Sequence, residues 1–278
     1  MCRYIKRKQA NDFLEITAVL RLSTKYFIEH LRERCLGCLE IDWPSTLSGW
    51  DAREFCSTDV HGRYDPRATI THPVMVINFA REMGLTHILA PAFYDLCRYG
   101  PSKIVSGTFS IPFTGPPELV PREVARNSPW TIHIAQDDLH LVMRGREEAQ
   151  RAVAQFIETE LTNREVTPEC HNITRDNGRV CRESFYFVML NVLRSVGGIA
   201  CGRDCDPLYT LTQSVKMLSR KDFSDGNGGA LVSLRVCAAC KMDFAAAVSE
   251  AREKMWSMIP GWFDLVCPTD EEKSDEDE

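Results

Sequence analysis

Cys237 and Cys240 stand three residues apart in SLRVCAACKMDFAAAV, residues 233–248. A pair so spaced offers two thiolates from one turn of chain, half of what a tetrahedral zinc ion needs. Half of a metal site, a redox dithiol and two core cysteines are the three chemistries open to it. A thioredoxin-type redox pair needs a βαβ setting, and this part of the chain carries no such pattern. A metal site needs two further ligands. Cys170 and Cys181 flank a polar loop, and Cys181 precedes a helical run, as Cys237 and Cys240 do. Helix N-termini favour thiolates. Two such starts facing one ion give the predicted ligand set of a structural zinc: Cys170, Cys181, Cys237 and Cys240. Cys201 and Cys205 compete for the place beside Cys237 and Cys240. They follow the far end of the helix after Cys181, about 20 Å from it if that helix is straight, and so do not share its metal. His171 is a further candidate in place of Cys170, and ordinary buried thiols are the reading without metal.

The elements that would position these cysteines are helical. Apolar residues recur at three- and four-residue steps over residues 13–39, where Ile16, Leu20, Phe27, Leu31 and Cys35 share one side of a single long helix. Pro44 ends it, and Ser45 or Ser48 caps a short helix beyond. Cys35 and Cys38 form a second close pair, but inside this helix they read as core. Pro73 suits the first turn of a helix through Met83, with Gly84 as its stop. THILAPAFYDLCRYG reads as the next helix, with Thr86 as cap, Pro91 in the first turn and Gly100 at its end. Further helices are predicted over 139–161, 182–196, 208–218 and 241–259, the last stopped by Pro260 and Gly261. Asp137 and Asp138 read as caps of the 139–161 helix. The alternation of Trp130, Ile132 and Ile134 is too short to predict a strand of any length. The fold class is therefore all-α, a helical hairpin array.

Four segments follow: helices over 1–106, a Pro/Gly-rich connection over 107–136, a cysteine-bearing helical domain over 137–267, and an acidic tail, 268–278, predicted disordered. The chain of 278 residues is 44% hydrophobic and 26% charged, enough for one large or two small cores. Its net charge of −6 and the lack of a Lys/Arg cluster beyond RYIKRK argue against a general nucleic-acid surface. No apolar run reaches the roughly 18 residues that cross a bilayer, and the N-terminus lacks a signal-peptide layout. The reading is a cytoplasmic or nuclear protein with no membrane partner. There its 12 cysteines would be thiols or metal ligands. No GxSxG, P-loop, GxGxxG or HExxH motif occurs, and the sequence points to no catalytic residue. His133, Asp137 and His140 would need a shared pocket to suggest one. Trp43, Trp50, Trp256 and Trp262 stand near helix ends and read as core anchors.

AVLRLSTKYFIEHLRERCLGCLEIDWPSTLSGWDARE, residues 18–54, resembles the end of the BTB fold and the turn after it in fungal BTB/POZ-domain proteins. AREMGLTHILAPAFYDLCRY, residues 80–99, is similar to the helix pair that follows in that group, and RVCAACKMDF with REKMWSMIPGWFDL is similar to its C-terminal end. The resemblance implies a non-catalytic protein–protein interaction or adaptor module. A transcription-associated regulator using the zinc region is the alternative. The family's mixed strands and helices should stand before residue 12, where this sequence shows none of their pattern. The dimerisation and partner-docking surfaces of a full BTB domain are therefore not carried over.

Overall fold

The computed structural model describes residues 12–109, 131–196, 205–219 and 234–265. These residues are mostly helical, as the periodicity requires. In chain order the helices are α1 (Asp12–Lys25), α2 (Glu29–Asp42), α3 (Leu47–Cys56), α4 (Pro73–Met83), α5 (Thr86–Cys97) and α6 (Pro101–Ser106). Then come β1 (Thr108–Phe109) and β2 (Thr131–Ile132), α7 (Gln136–Phe156), α8 (Ile173–Asp176), α9 (Arg179–Val196), α10 (Pro207–Met217) and α11 (Ala238–Trp262). β1 and β2 pair antiparallel, with Thr108 opposite Ile132. RYIKRK, Trp130, Cys201, SDGNGG, Cys267, the acidic tail and most of the Pro/Gly-rich connection lie outside the described residues.

The chain divides into two compact units: residues 1–145 with 259–278, and residues 146–258. In the first, α1 packs on α2 and α4 on α5. The single helix expected over 13–39 is in fact a hairpin. Phe27 takes φ 58°, the left-handed conformation that ends helices. Ile28 N–H donates to Ser23 O at 2.8 Å and Phe27 N–H to Thr24 O at 3.4 Å, the bonding of a Schellman cap. Glycine usually marks such a stop. Here a phenylalanine occupies it, so the apolar pattern ran on unbroken. The turn also removes Phe27 from the core side: it is 92% exposed.

Other boundaries differ for local reasons. The cap of α3 is Thr46, whose Oγ1 accepts from Gly49 N–H at 3.2 Å, and neither Ser45 nor Ser48 takes that role. Pro91 lies inside α5 and not in its first turn, which begins at Thr86. Residues 91–97 are all buried, and that burial outweighs the lost N–H. Pro260 likewise falls within α11, which runs on to Trp262. α7 starts at Gln136, so Asp137 and Asp138 lie within its first turn, where acidic groups suit the helix dipole. Asp138 is also drawn to Arg81 Nη2 at 2.7 Å. α7 continues as a π-helical turn, Ile157–Leu161. The 73–83 helix has the predicted bounds, with Gly84 left-handed at φ 67°.

The first unit's core contains Trp43, Trp50, Ile77, Phe93 and Tyr94, all almost fully buried, and Phe93 stacks on Phe263 at 5.2 Å. Trp262 is buried as expected, while Trp256 is only half-buried. Inside this core lies a group of charges. Asp95 accepts from Arg53 at 2.6 Å and Arg67 at 2.5 Å, and also from Arg98. Arg98 and Tyr64 both donate to Glu54, each at 2.9 Å. The Arg53 guanidinium also faces the rings of Trp50 and Trp43, at 4.4 and 4.8 Å. Burial by itself would push the Asp95 carboxyl up; Arg67, Arg53 and Arg98 outweigh it and hold the group well below the carboxylate range.

Candidate metal centre

In the second unit, Phe244 meets Phe156 at 6.3 Å and Phe185 at 5.5 Å, joining α7, α9 and α11 in one aromatic core. Arg164 reinforces the join. It bonds Asp243 at 2.6 Å and Glu160 at 3.0 Å, with its guanidinium over the rings of Phe185 and Phe244. This fixes the start of α11 beside the start of α9, and the cysteines gather there.

Cys170 and Cys181 are brought together by a tight reversal. Cys170 N–H donates to Thr167 O at 2.9 Å, and the short helix α8 follows. Asn177 and Gly178 are both left-handed, with φ 55° and 73°, and turn the chain back into α9. Gly178 has a second constraint: a Cβ there would stand 2.8 Å from Val166 Cγ2. Cys181 becomes the third residue of α9, inside its first turn and not before it. On the other side, Cys237 directly precedes α11. Its carbonyl accepts from Lys241 N–H at 3.0 Å, and its Sγ accepts from Cys240 N–H at 3.5 Å. That is an N-cap built with sulfur. Cys240 lies one turn on, inside the helix.

The four sulfurs of Cys170, Cys181, Cys237 and Cys240 all lie within 4.8 Å of one another. Cys170 and Cys181 are 3.8 Å apart, and Cys170 and Cys237 3.7 Å. A tetrahedral ion with metal–sulfur bonds of about 2.3 Å separates its ligands by about 3.8 Å. Cys170, Cys181 and Cys240 are buried, and Cys237 is partly exposed. The sulfurs also receive N–H groups that would orient and stabilise thiolates. Asn172 Nδ2 donates to Cys181 Sγ at 3.2 Å, and Cys237 N–H donates to the same sulfur at 3.4 Å. The residues present thus fit a thiophilic ion in number, spacing and chemistry, and four sulfurs disfavour calcium or magnesium.

The electrostatics are those of crowded thiols. Burial pushes the Cys237 thiol up, but the N–H groups of Cys240 and His171 and the thiols of Cys240 and Cys170 outweigh it and hold it down at about 6. Burial pushes Cys181 and Cys240 up, with the neighbouring sulfurs adding to it. One thiolate is accommodated, and further negative charge in the same space is resisted. A divalent cation would reverse that balance.

Cys205 is not part of the group; its thiol donates to Arg146 O at 3.2 Å. His171 is exposed and is not among the clustered ligands. Cys35 is buried in α2 and Cys38 half-buried. His133 and His140 do not line the groove between α7 and α11, which Ala152, Phe156, Ala251 and Met255 help to form.

The Asp95 ionic group was missed in the sequence. The available signal was a lone aspartate in the apolar run HILAPAFYDLC, an anion that burial obliges to find cations. Helical spacing points to Arg98, three residues on; nothing in the sequence points to Arg53 or Arg67.

Comparison with protein-family models, curated proteins and solved structures returns no match to this chain.

Proposed function

We propose that this chain is a non-catalytic protein-interaction module of the BTB type, and that a structural zinc bound by Cys170, Cys181, Cys237 and Cys240 holds its C-terminal unit. The observation that carries the zinc reading is the set of four sulfurs within 4.8 Å, drawn from two helix starts far apart in sequence. A four-thiolate site leaves no coordination position for water or substrate, which makes the role structural. The zinc ties the 170–181 turn to the start of α11. The BTB-type reading is supported by the motifs in residues 18–54 and 80–99, which here form the helices α1–α3 and α4–α5.

Elemental analysis of protein purified without added metal tests the reading. We expect about one zinc per chain, with four of the thiols protected from alkylation until a chelator and denaturant are added. Less than half an equivalent, with every thiol labelled at once, would show that the cluster is a set of buried thiols.

A further inference from the structure

We propose that the outward face of α1 is a self-association surface, on which a second copy of this chain packs its own α1 antiparallel. The helix has two apolar sides. Phe13, Thr17 and Leu20 face the core. Val19, Leu22 and Tyr26 face the other way and are 39%, 55% and 62% exposed. At 3.6 residues per turn these three fall in one stripe, with Glu15 in it at the N-terminal end and Lys25 on its flank at the C-terminal end. A surface helix ordinarily spends that side on polar residues.

The charges select the occupant. The face runs acidic, apolar, basic along its axis. Antiparallel pairing about a two-fold axis near the middle of α1 sets Val19 against Leu22 of the second copy. It also places Glu15 beside the second copy's Lys25, twice over. Parallel pairing would set like charges together. Arg21, on the flank of the helix, is held by Glu82 of α4 at 2.6 Å and leaves the stripe clear.

A second observation points the same way. Phe27, at the end of the stripe, is held in the left-handed conformation, which bulky residues rarely adopt, and is 92% exposed. Folding therefore returns little burial at that side chain in exchange for the strain. Packing against the end of a second α1 would supply that burial. A contact along a helix about 21 Å long lies at the small, weak end of protein interfaces.

Sedimentation velocity of the full chain, from micromolar concentration to about 0.2 mM in low salt, reads the association directly. We expect a concentration-dependent shift from monomer to dimer. Leu22→Glu should weaken it at least about tenfold. Phe27→Asn should weaken it while leaving the melting midpoint unchanged or higher, because asparagine tolerates the left-handed conformation. Lys25→Glu should weaken it as well, and Glu15→Lys combined with Lys25→Glu should restore it. A chain monomeric over the whole range overturns the inference, as does a dimer indifferent to both Leu22→Glu and the charge reversals. The metal reading is untouched by either result.

Discussion

His72 occupies a place where a small change in solution has a calculable effect. It precedes Pro73, and its Nδ1 accepts from Val74 N–H at 3.3 Å, so it caps α4 in its neutral form. Burial lowers its pKa, Arg67 lowers it further, and Asp95 opposes them, leaving it at about 4 against an ordinary 6.5. The folded value lies below the unfolded one. Stability from this group is complete above pH 6.5 and is lost as pH falls towards 4, because only the unfolded chain then takes up the proton. The loss amounts to about 3 kcal/mol. Chemical denaturation between pH 7 and pH 4 should show it, and His72→Asn, which keeps a capping acceptor, should flatten the curve. Asp95 adds a second loss with the same sign at lower pH, since its folded pKa is also depressed. The lone aspartate was visible in the sequence. Arg98, three residues on at the end of the same helix, is a local partner; Arg53 and Arg67 come from separate segments, and nothing in local pattern connects them to Asp95.

At the scale of elements, boundaries were legible where side-chain chemistry is stereotyped. Pro73 and Gly84 bracket α4 because proline tolerates a first turn and glycine a left-handed stop. The break at Phe27 was not legible, because the residue there is one that avoids the conformation it takes. Gly145 is another position explained by packing. It lies in α7, where glycine costs helix stability, and a Cβ on it would run into the ring of Phe263. Gly145→Ala should therefore destabilise the first unit by about 1–3 kcal/mol despite alanine's better helix propensity, as read from its thermal or denaturant transition. Stabilisation instead would mean that Phe263 swings aside freely.

At the scale of the whole molecule, the two compact units have different foundations. The first has a core of tryptophans and phenylalanines around the Asp95 group. The second places a four-cysteine cluster between segments 67 residues apart in sequence, from Cys170 to Cys237. Closing so long a loop is entropically costly, and a bound ion offsets that cost only when present. A chelator should therefore lower the melting of residues 146–258 and leave the first unit's transition in place. Calorimetry resolves the two, and hydrogen exchange should localise the loss of protection to the 170–181 turn and the start of α11. Cys56→Ser, at an exposed cysteine, should leave both transitions within about 0.5 kcal/mol.

The sequence by itself determined the helical class, because apolar steps of three and four residues can bury only as helices. It also offered the four cysteines as one candidate set, beside Cys201, Cys205, His171 and a reading of plain buried thiols, because thiols near helix starts share one electrostatic preference. Only the tertiary structure decided that their sulfurs meet, since that depends on the Asn177–Gly178 reversal and on Arg164 joining α9 to α11. It alone placed three guanidinium groups on one buried carboxylate, and it alone turned Phe27 outward. Periodicity reports which side of a helix is apolar. Which segments close on one another follows from packing summed over the chain.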